Sequence, residues 1–284
     1  MNIGDPSPPR LRGDYSIAGA DFVVDQNWGQ YSSADHELWR GLWTRQTRLL
    51  PGRACDAFLS NLTRAGSAAQ VPRFETVSGD LRKATGWEIV AVPGLVPDHV
   101  FFEHLSQRRF PVTAWLRRPD EFDYIVEPDV FHDFFGHVPL LFDPRFADYM
   151  QAYGMGGLKA VRLEALECLA RLYWYTVEFG LLRTTQGLRI SGAGILSSGG
   201  EVLHSTSSTK CKRLEFRLDR LLRTRYNIDR LQDTYFVIDS FDKLVADTAH
   251  DFTAVYERLR DLPGLSPGET APGDVEAQLA SPSK

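Results

Sequence analysis

The sequence predicts a mainly α fold with a few short strands, built as one domain. Three observations carry that expectation. Apolar residues recur at steps of three and four over long stretches, β-branched runs are short and stopped by Pro, Gly or charge, and no Pro/Gly/Ser-rich or charge-rich linker divides the interior. The 284 residues are 43% hydrophobic, 24% charged and 12% aromatic, which excludes disorder, collagen and coiled coil and supplies a sizeable core.

Taken in order, residues 1–26 mix Pro, Gly and polar side chains and read as a flexible N-terminal segment. The body runs from 27 to 260. Ser33, Ala34 and Asp35 followed by Leu38, Leu42 and Leu49 read as a capped helix start, with His36 a first-turn polar residue. Residues 87–92 (WEIVAV), 111–116 (PVTAWL) and 235–238 (YFVI) read as short strands. Residues 158–183 read as one long helix whose stripe is Leu158, Val161, Ala165, Leu169, Leu172 and Thr176, ending near Gly180. Residues 190–200 (ISGAGILSSGG) are too small to pack as an element and read as a loop lying close to something. Residues 240–259 read as helix, and 261–284, without apolar periodicity, as a disordered tail.

The 32 basic and 37 acidic residues leave a net charge of −5, which argues against a nucleic-acid backbone or an anionic membrane as partner and favours small-molecule chemistry. Cys55, Cys168 and Cys211 are far apart and form no CxxC pair, the N-terminus lacks the apolar core of a signal peptide, and no apolar run approaches a membrane span. These features predict a cytoplasmic protein.

The stretch EPDVFHDFFGHVP places His132 and His137 five residues apart in aromatic company. Neutral imidazole is the commonest metal ligand, yet five residues on an ideal helix amount to about 140° of rotation. The rings converge only if the helix ends or distorts, for which Gly136 and Pro139 offer the opportunity. Glu178 is the only charged residue in LYWYTVEFGLL, and a buried carboxylate needs a positive partner. Two readings stay open here: a salt bridge from Arg171 or Arg183, or a shared metal with His132 and His137. Two histidines and one carboxylate suit non-haem Fe(II) and oxygen, and zinc hydrolysis uses the same ligand types.

EPDVFHDFFGHVPLL, LYWYTVEFGL, GAGILSSGGE and YFVIDSF, in this order and spacing, resemble the tetrahydropterin-dependent aromatic amino acid hydroxylases, most closely the bacterial phenylalanine-hydroxylating members, over residues 28–257. The resemblance implies the single, mainly helical catalytic domain of that family over 27–260, with His132, His137 and Glu178 as iron ligands. It implies Fe(II), a tetrahydropterin such as tetrahydrobiopterin, and O2 as co-substrate. Position by position, it puts Phe101 against the pterin ring and Val96, Asp98, Asp133, Ala170 and Tyr173 around it. Arg117 would hold the substrate carboxylate with Asp129 orienting it, and Trp174, Phe179, Ser191, Gly194 and Ser197 would surround the substrate.

At Ser191 the family carries tyrosine. The expectation is ring hydroxylation of L-phenylalanine to L-tyrosine, with meta-hydroxylation or another aromatic substrate as the alternative that Ser191 raises. A non-catalytic metal-binding homologue and a zinc hydrolase are the other classes to separate. Partners expected are the small-molecule substrate and pterin, with pterin-recycling enzymes. The absence of an appended regulatory domain or heptad helix in this sequence predicts a monomer.

Overall fold

In the computed structural model, which describes residues 12–277, the first long helix starts at Ser32. The Ser32 hydroxyl accepts the Asp35 N–H at 3.2 Å and the Asp35 carboxylate accepts the Ser32 N–H at 2.8 Å, a capping box closed by aspartate. Helix α1 (Ser33–Leu49) buries Trp39, Leu42, Trp43 and Gln46, spaced as one helical face. Helices α2 (Asp56–Ala65) and α3 (Phe74–Thr85) follow, and Gly86 ends α3 at a φ of 77°. Strand β1 (Glu88–Val92), helix α4 (Asp98–Ser106) and strand β2 (Arg109–Thr113) come next; the strands pair in parallel with Glu88 opposite Arg109. The second strand therefore begins two residues before the predicted one and ends at Thr113.

A π-helix, Phe131–His137, runs into α5 (Val138–Leu141). Its composition divides by face. Phe131, Phe134 and Phe135 are fully buried, with Phe131 5.3 Å from Trp39, Phe135 5.0 Å from Trp43 and 5.7 Å from Phe58, and Phe134 6.1 Å from Phe74. Each such ring stabilises by about 1.5–3 kcal/mol through burial. This aromatic core fixes the rotation of the segment that carries both histidines.

Residues 158–183 are not one helix. Helix α6 (Pro144–Arg162) is followed by Glu164 at a φ of 53°, α7 (Leu166–Tyr173), a second π-helix (Trp174–Glu178) and β3 (Gly180–Thr184). The apolar stripe carries across because both helices face one core, and periodicity does not register a single left-handed residue. Strand β4 (Gly187–Ile190) returns antiparallel to β3.

Residues 190–200 are likewise not a loop: they form α8 (Ala193–Ser197) and the start of α9 (Gly199–Ser207). Their small side chains permit close approach, since a Cβ on Gly136 would meet the Ala193 carbonyl oxygen at 2.8 Å. Strand β5 (Lys212–Glu215), helix α10 (Leu218–Arg223) and strand β6 (Thr234–Ile238) complete a four-stranded sheet of order β4-β3-β6-β5.

The predicted helix over 240–259 is two, α11 (Phe241–Thr248) and α12 (Thr253–Leu259), because the Asp251 carboxylate accepts the Thr253 N–H at 2.8 Å and starts a fresh helix.

The described parts of both ends are more ordered than composition predicts. Val24 donates to the Ala91 carbonyl beside β1, and Tyr15 donates to that of Leu95. Leu265 and Ala277 are buried, and Asp274 pairs with Arg220 at 2.9 Å out of solvent. Backbone pairing and one buried ion pair here replace an apolar stripe. Residues 1–11 and 278–284 of the predicted loose ends lie outside the described residues. No described helix is long and apolar enough to cross a membrane.

Candidate metal and substrate site

The histidine spacing is resolved by the π-helix. Its hydrogen bonds run from i to i+5, so residues five apart share a face, and His132 and His137 stand with ring centres 5.4 Å apart. Glu178 closes the group from the end of the second π-helix, where the Phe179 N–H donates to the Trp174 carbonyl, again five residues back. Its carboxylate oxygens lie 3.6 Å from Nε2 of His132 and 3.1 Å from Nε2 of His137. One ligand atom from each of the three residues falls within 4.8 Å of the others.

The alternative partners of Glu178 are engaged elsewhere. Arg171 donates to the Leu222 carbonyl and pairs with Glu167; Arg183 pairs with Glu215 and Asp239. Burial works to raise the Glu178 carboxyl, but His137 and His132 outweigh it and hold the group below its ordinary range.

Ser197, expected beside the substrate, stands against a ligand. Its hydroxyl donates to the Ala193 carbonyl at 2.9 Å and stands 2.9 Å from Nδ1 of His132. With its own proton committed, the serine oxygen accepts from Nδ1 of His132, which leaves Nε2 as the nitrogen that faces Glu178. The donor set is two imidazoles and one carboxylate, and it fits a divalent iron with open positions.

Arg117 and Asp129 are both buried and meet as a fork: Nε and Nη2 each donate to one carboxylate oxygen at 2.8 Å, and the Arg117 N–H adds a third bond at 2.9 Å. Burial opposes ionisation of Asp129, yet the Arg117 charge keeps its carboxyl low. Among the described residues no hydrogen bond engages Nη1 of Arg117.

Phe101 on α4 meets Tyr173 edge to face at 5.6 Å, and Tyr173 stacks on His137 at 6.2 Å, so an aromatic line leads from α4 to the triad. Asp133, next to His132, accepts the Thr113 N–H at 2.8 Å at the end of β2, and burial pushes its carboxyl up. Ala170 is half-buried on α7, one turn before Trp174. Half-buried Val96 and exposed Asp98 lie at the entry to α4, and no hydrogen bond ties them to the triad among the described residues.

Trp174 stacks on Tyr226, at 4.1 Å and 11°, and packs against Phe179, tilted at 4.7 Å. Gly194 lies where a Cβ would come within 2.8 Å of the Phe179 ring. Ser191 is fully buried and its hydroxyl donates to the Gly180 carbonyl at 3.1 Å. A small polar side chain is thus satisfied by backbone at the position that raised the alternative regiochemistry.

The description "biopterin-dependent aromatic amino acid hydroxylase" belongs to a family whose model matches residues 26–261. The chain belongs to that family. Among relatives of this hydroxylase, a phenylalanine-4-hydroxylase of Ralstonia nicotianae is 58% identical over 256 residues, covering 90% of this chain and 82% of the relative. One from Chromobacterium violaceum is 56% identical, covering 90% and 86%. A crystal structure of phenylalanine hydroxylase from Chromobacterium violaceum with iron and phenylalanine bound superposes with a TM-score of 0.88 at 55% identity, covering 91% of this chain and 95% of that one. A cobalt-bound structure from the same organism gives 0.90 at 55%, covering 91% and 94%.

Sequence reasoning missed Tyr226, Gln232 and Glu201. Gln232 opens the polar run before β6 and Glu201 reads as an ordinary acidic first-turn residue; neither carries a local signal, because both act through contacts made across the fold.

Proposed function

We propose that this hydroxylase adds one oxygen atom from O2 to the ring of L-phenylalanine, giving L-tyrosine, with Fe(II) held by His132, His137 and Glu178 and a tetrahydropterin as reductant. The observation that carries the reading is the convergence of those three side chains, from two π-helices, on one point beside a buried arginine fork. The 56–58% identity to phenylalanine-4-hydroxylases supports the substrate and the para position. Iron and reduced pterin, when bound, supply the activation of O2 for transfer to an aromatic carbon.

The chain supplies placement. Arg117 binds the substrate carboxylate through its free edge while Asp129 holds the guanidinium plane. Trp174 and Phe179 wall the ring, and Gly194, with no side chain, lets backbone lie close to it. Phe101 stacks on the pterin, with Val96, Asp98, Asp133, Ala170 and Tyr173 completing that side. Ser197 keeps the His132 proton off the metal-facing nitrogen. Ser191 acts as a tolerated packing change.

The test is chromatography of the product formed from L-phenylalanine by Fe(II)-loaded enzyme, reduced pterin and O2, against authentic para- and meta-tyrosine. Para-tyrosine is expected; meta-tyrosine or no product overturns the reading. We further propose a cytoplasmic monomer served by a pterin-recycling enzyme. Unpaired thiols at Cys55, Cys168 and Cys211 support the compartment. The tail over 261–277, packed on its own chain, supports the monomer. Sedimentation as a tetramer would contradict it.

A further inference from the structure

Behind Trp174 lies a buried polar chain that the assignments above do not use. The Trp174 indole N–H donates to Oε1 of Gln232 at 2.9 Å. Gln232 is 4% exposed, and every polar group it has is engaged. Its Nε2 donates to the carbonyls of Asn227 at 2.9 Å and Arg230 at 3.2 Å, its backbone N–H donates to Glu201 at 3.0 Å, and its carbonyl meets Nε2 of His204 at 3.1 Å. Two carbonyls on the Nε2 side fix the orientation of the amide, so the oxygen must face the indole. Glu201, 5% exposed, has no cationic partner among the described residues; its second oxygen accepts the Tyr235 hydroxyl.

The chain also holds the other face of the indole. Tyr226, stacked on Trp174, belongs to the segment that the Gln232 amide pins at Asn227 and Arg230. The segment takes one more bond, from the Tyr124 hydroxyl to the Ile228 carbonyl at 3.1 Å, which joins it to the stretch between Arg117 and Asp129. One glutamine thus fixes the edge of the indole through its N–H and the flat face through Tyr226. Phe179, which also packs against the indole, directly follows the ligand Glu178.

We propose that Gln232 is a positioning residue for the substrate ring: it sets the depth of the Trp174 indole in the pocket wall, and Glu201 with Tyr235 sets Gln232. The proposal rests on the reading that Trp174 walls the substrate ring. An indole free to tilt widens the pocket, and a ring displaced from the metal lets pterin and O2 be consumed without hydroxylation.

The test is a double-mutant cycle on Gln232→Leu and Trp174→Phe in the Fe(II)-loaded full chain, reading hydroxylated product per pterin oxidised and the KM for L-phenylalanine. In the wild-type background Gln232→Leu is expected to lower the product ratio and raise the KM, each by about three- to tenfold, as for loss of one buried neutral hydrogen bond, with iron content unchanged. In the Trp174→Phe background, which has no indole N–H, only the route through Tyr226 remains, and the same substitution is expected to have a clearly smaller effect. An equal effect in both backgrounds, or none in the first, overturns the proposal and leaves Gln232 a prop of the 226–232 segment.

If Gln232→Leu does not fold, Gln232→Met, longer and more adaptable, runs the same cycle. A measurement independent of activity accompanies it. The indole N–H resonance that Trp174→Phe abolishes should be protected from solvent exchange in the wild type and lose protection in Gln232→Leu, and an unprotected wild-type signal refutes the hydrogen bond. Absence of hydroxylated product from wild-type enzyme would instead refute the substrate assignment, which the exchange measurement does not touch.

Discussion

Glu178 shows at the residue scale why three side chains come together. An ionised carboxylate out of water requires compensation, and the described charges that sequence would offer it, Arg171 and Arg183, are spent on Glu167, Glu215 and Asp239. Glu178→Gln or His132→Ala is expected to abolish hydroxylation and to lower bound iron measured by elemental analysis; full activity in either variant would refute the ligand set. Ser197→Ala removes the acceptor that fixes the His132 tautomer. A loss of about 10- to 100-fold in metal affinity is expected, as for other groups that orient a ligand, and metal titration checks it. Arg117→Lys keeps the charge but loses the fork against Asp129. The KM for L-phenylalanine should rise by about tenfold or more, while the KM for pterin should not.

At the scale of the element, the two π-helices decide the geometry. In an α-helix His132 and His137 would diverge, and the wider turn aligns them. The turn is held by packing, since Phe131, Phe134 and Phe135 face the Trp39 and Trp43 side of α1. Phe135→Ala is expected to cost about 3–5 kcal/mol in denaturant unfolding and to reduce iron occupancy with it. The ligand spacing, the apolar residues of the segment and Gly136 were all legible in the sequence. The π register was not, because a five-residue hydrogen bond is chosen by the core it packs on, and no local pattern marks it. The break after α6 was hidden for a related reason: Glu164 adopts a left-handed backbone that its side chain does not advertise.

Across the whole molecule, Glu201 makes stability depend on pH. Burial pushes its carboxyl up to about 7 against the lowering effect of the Tyr235 hydroxyl and the Gln232 N–H. The folded state therefore keeps a proton that the unfolded chain releases near its ordinary pKa. The sign follows: folded protein binds more protons between about pH 4.5 and 7, so the contribution is present below that window and lost as pH rises through it, by about 3 kcal/mol. Glu201→Gln should flatten this fall, read as the difference in unfolding free energy between pH 5 and pH 8 in variant and wild type. The tail contributes at the same scale, for Asp274 is the ion-pair partner of Arg220, whose side chain is 3% exposed.

The helical class with short strands, the residues with metal-ligand chemistry and, through four motifs in register, the family were legible before any coordinate. Those are properties of residue type and spacing, which survive without coordinates. It took the packed molecule to show that Ser197 meets His132, that Arg171 and Arg183 are paired away from Glu178, that the small-residue stretch after β4 is helical, and that residues 261–277 pack on the domain. Each of these depends on which distant groups claim a hydrogen bond or a buried charge, and that competition is settled by the packing of elements remote in the chain.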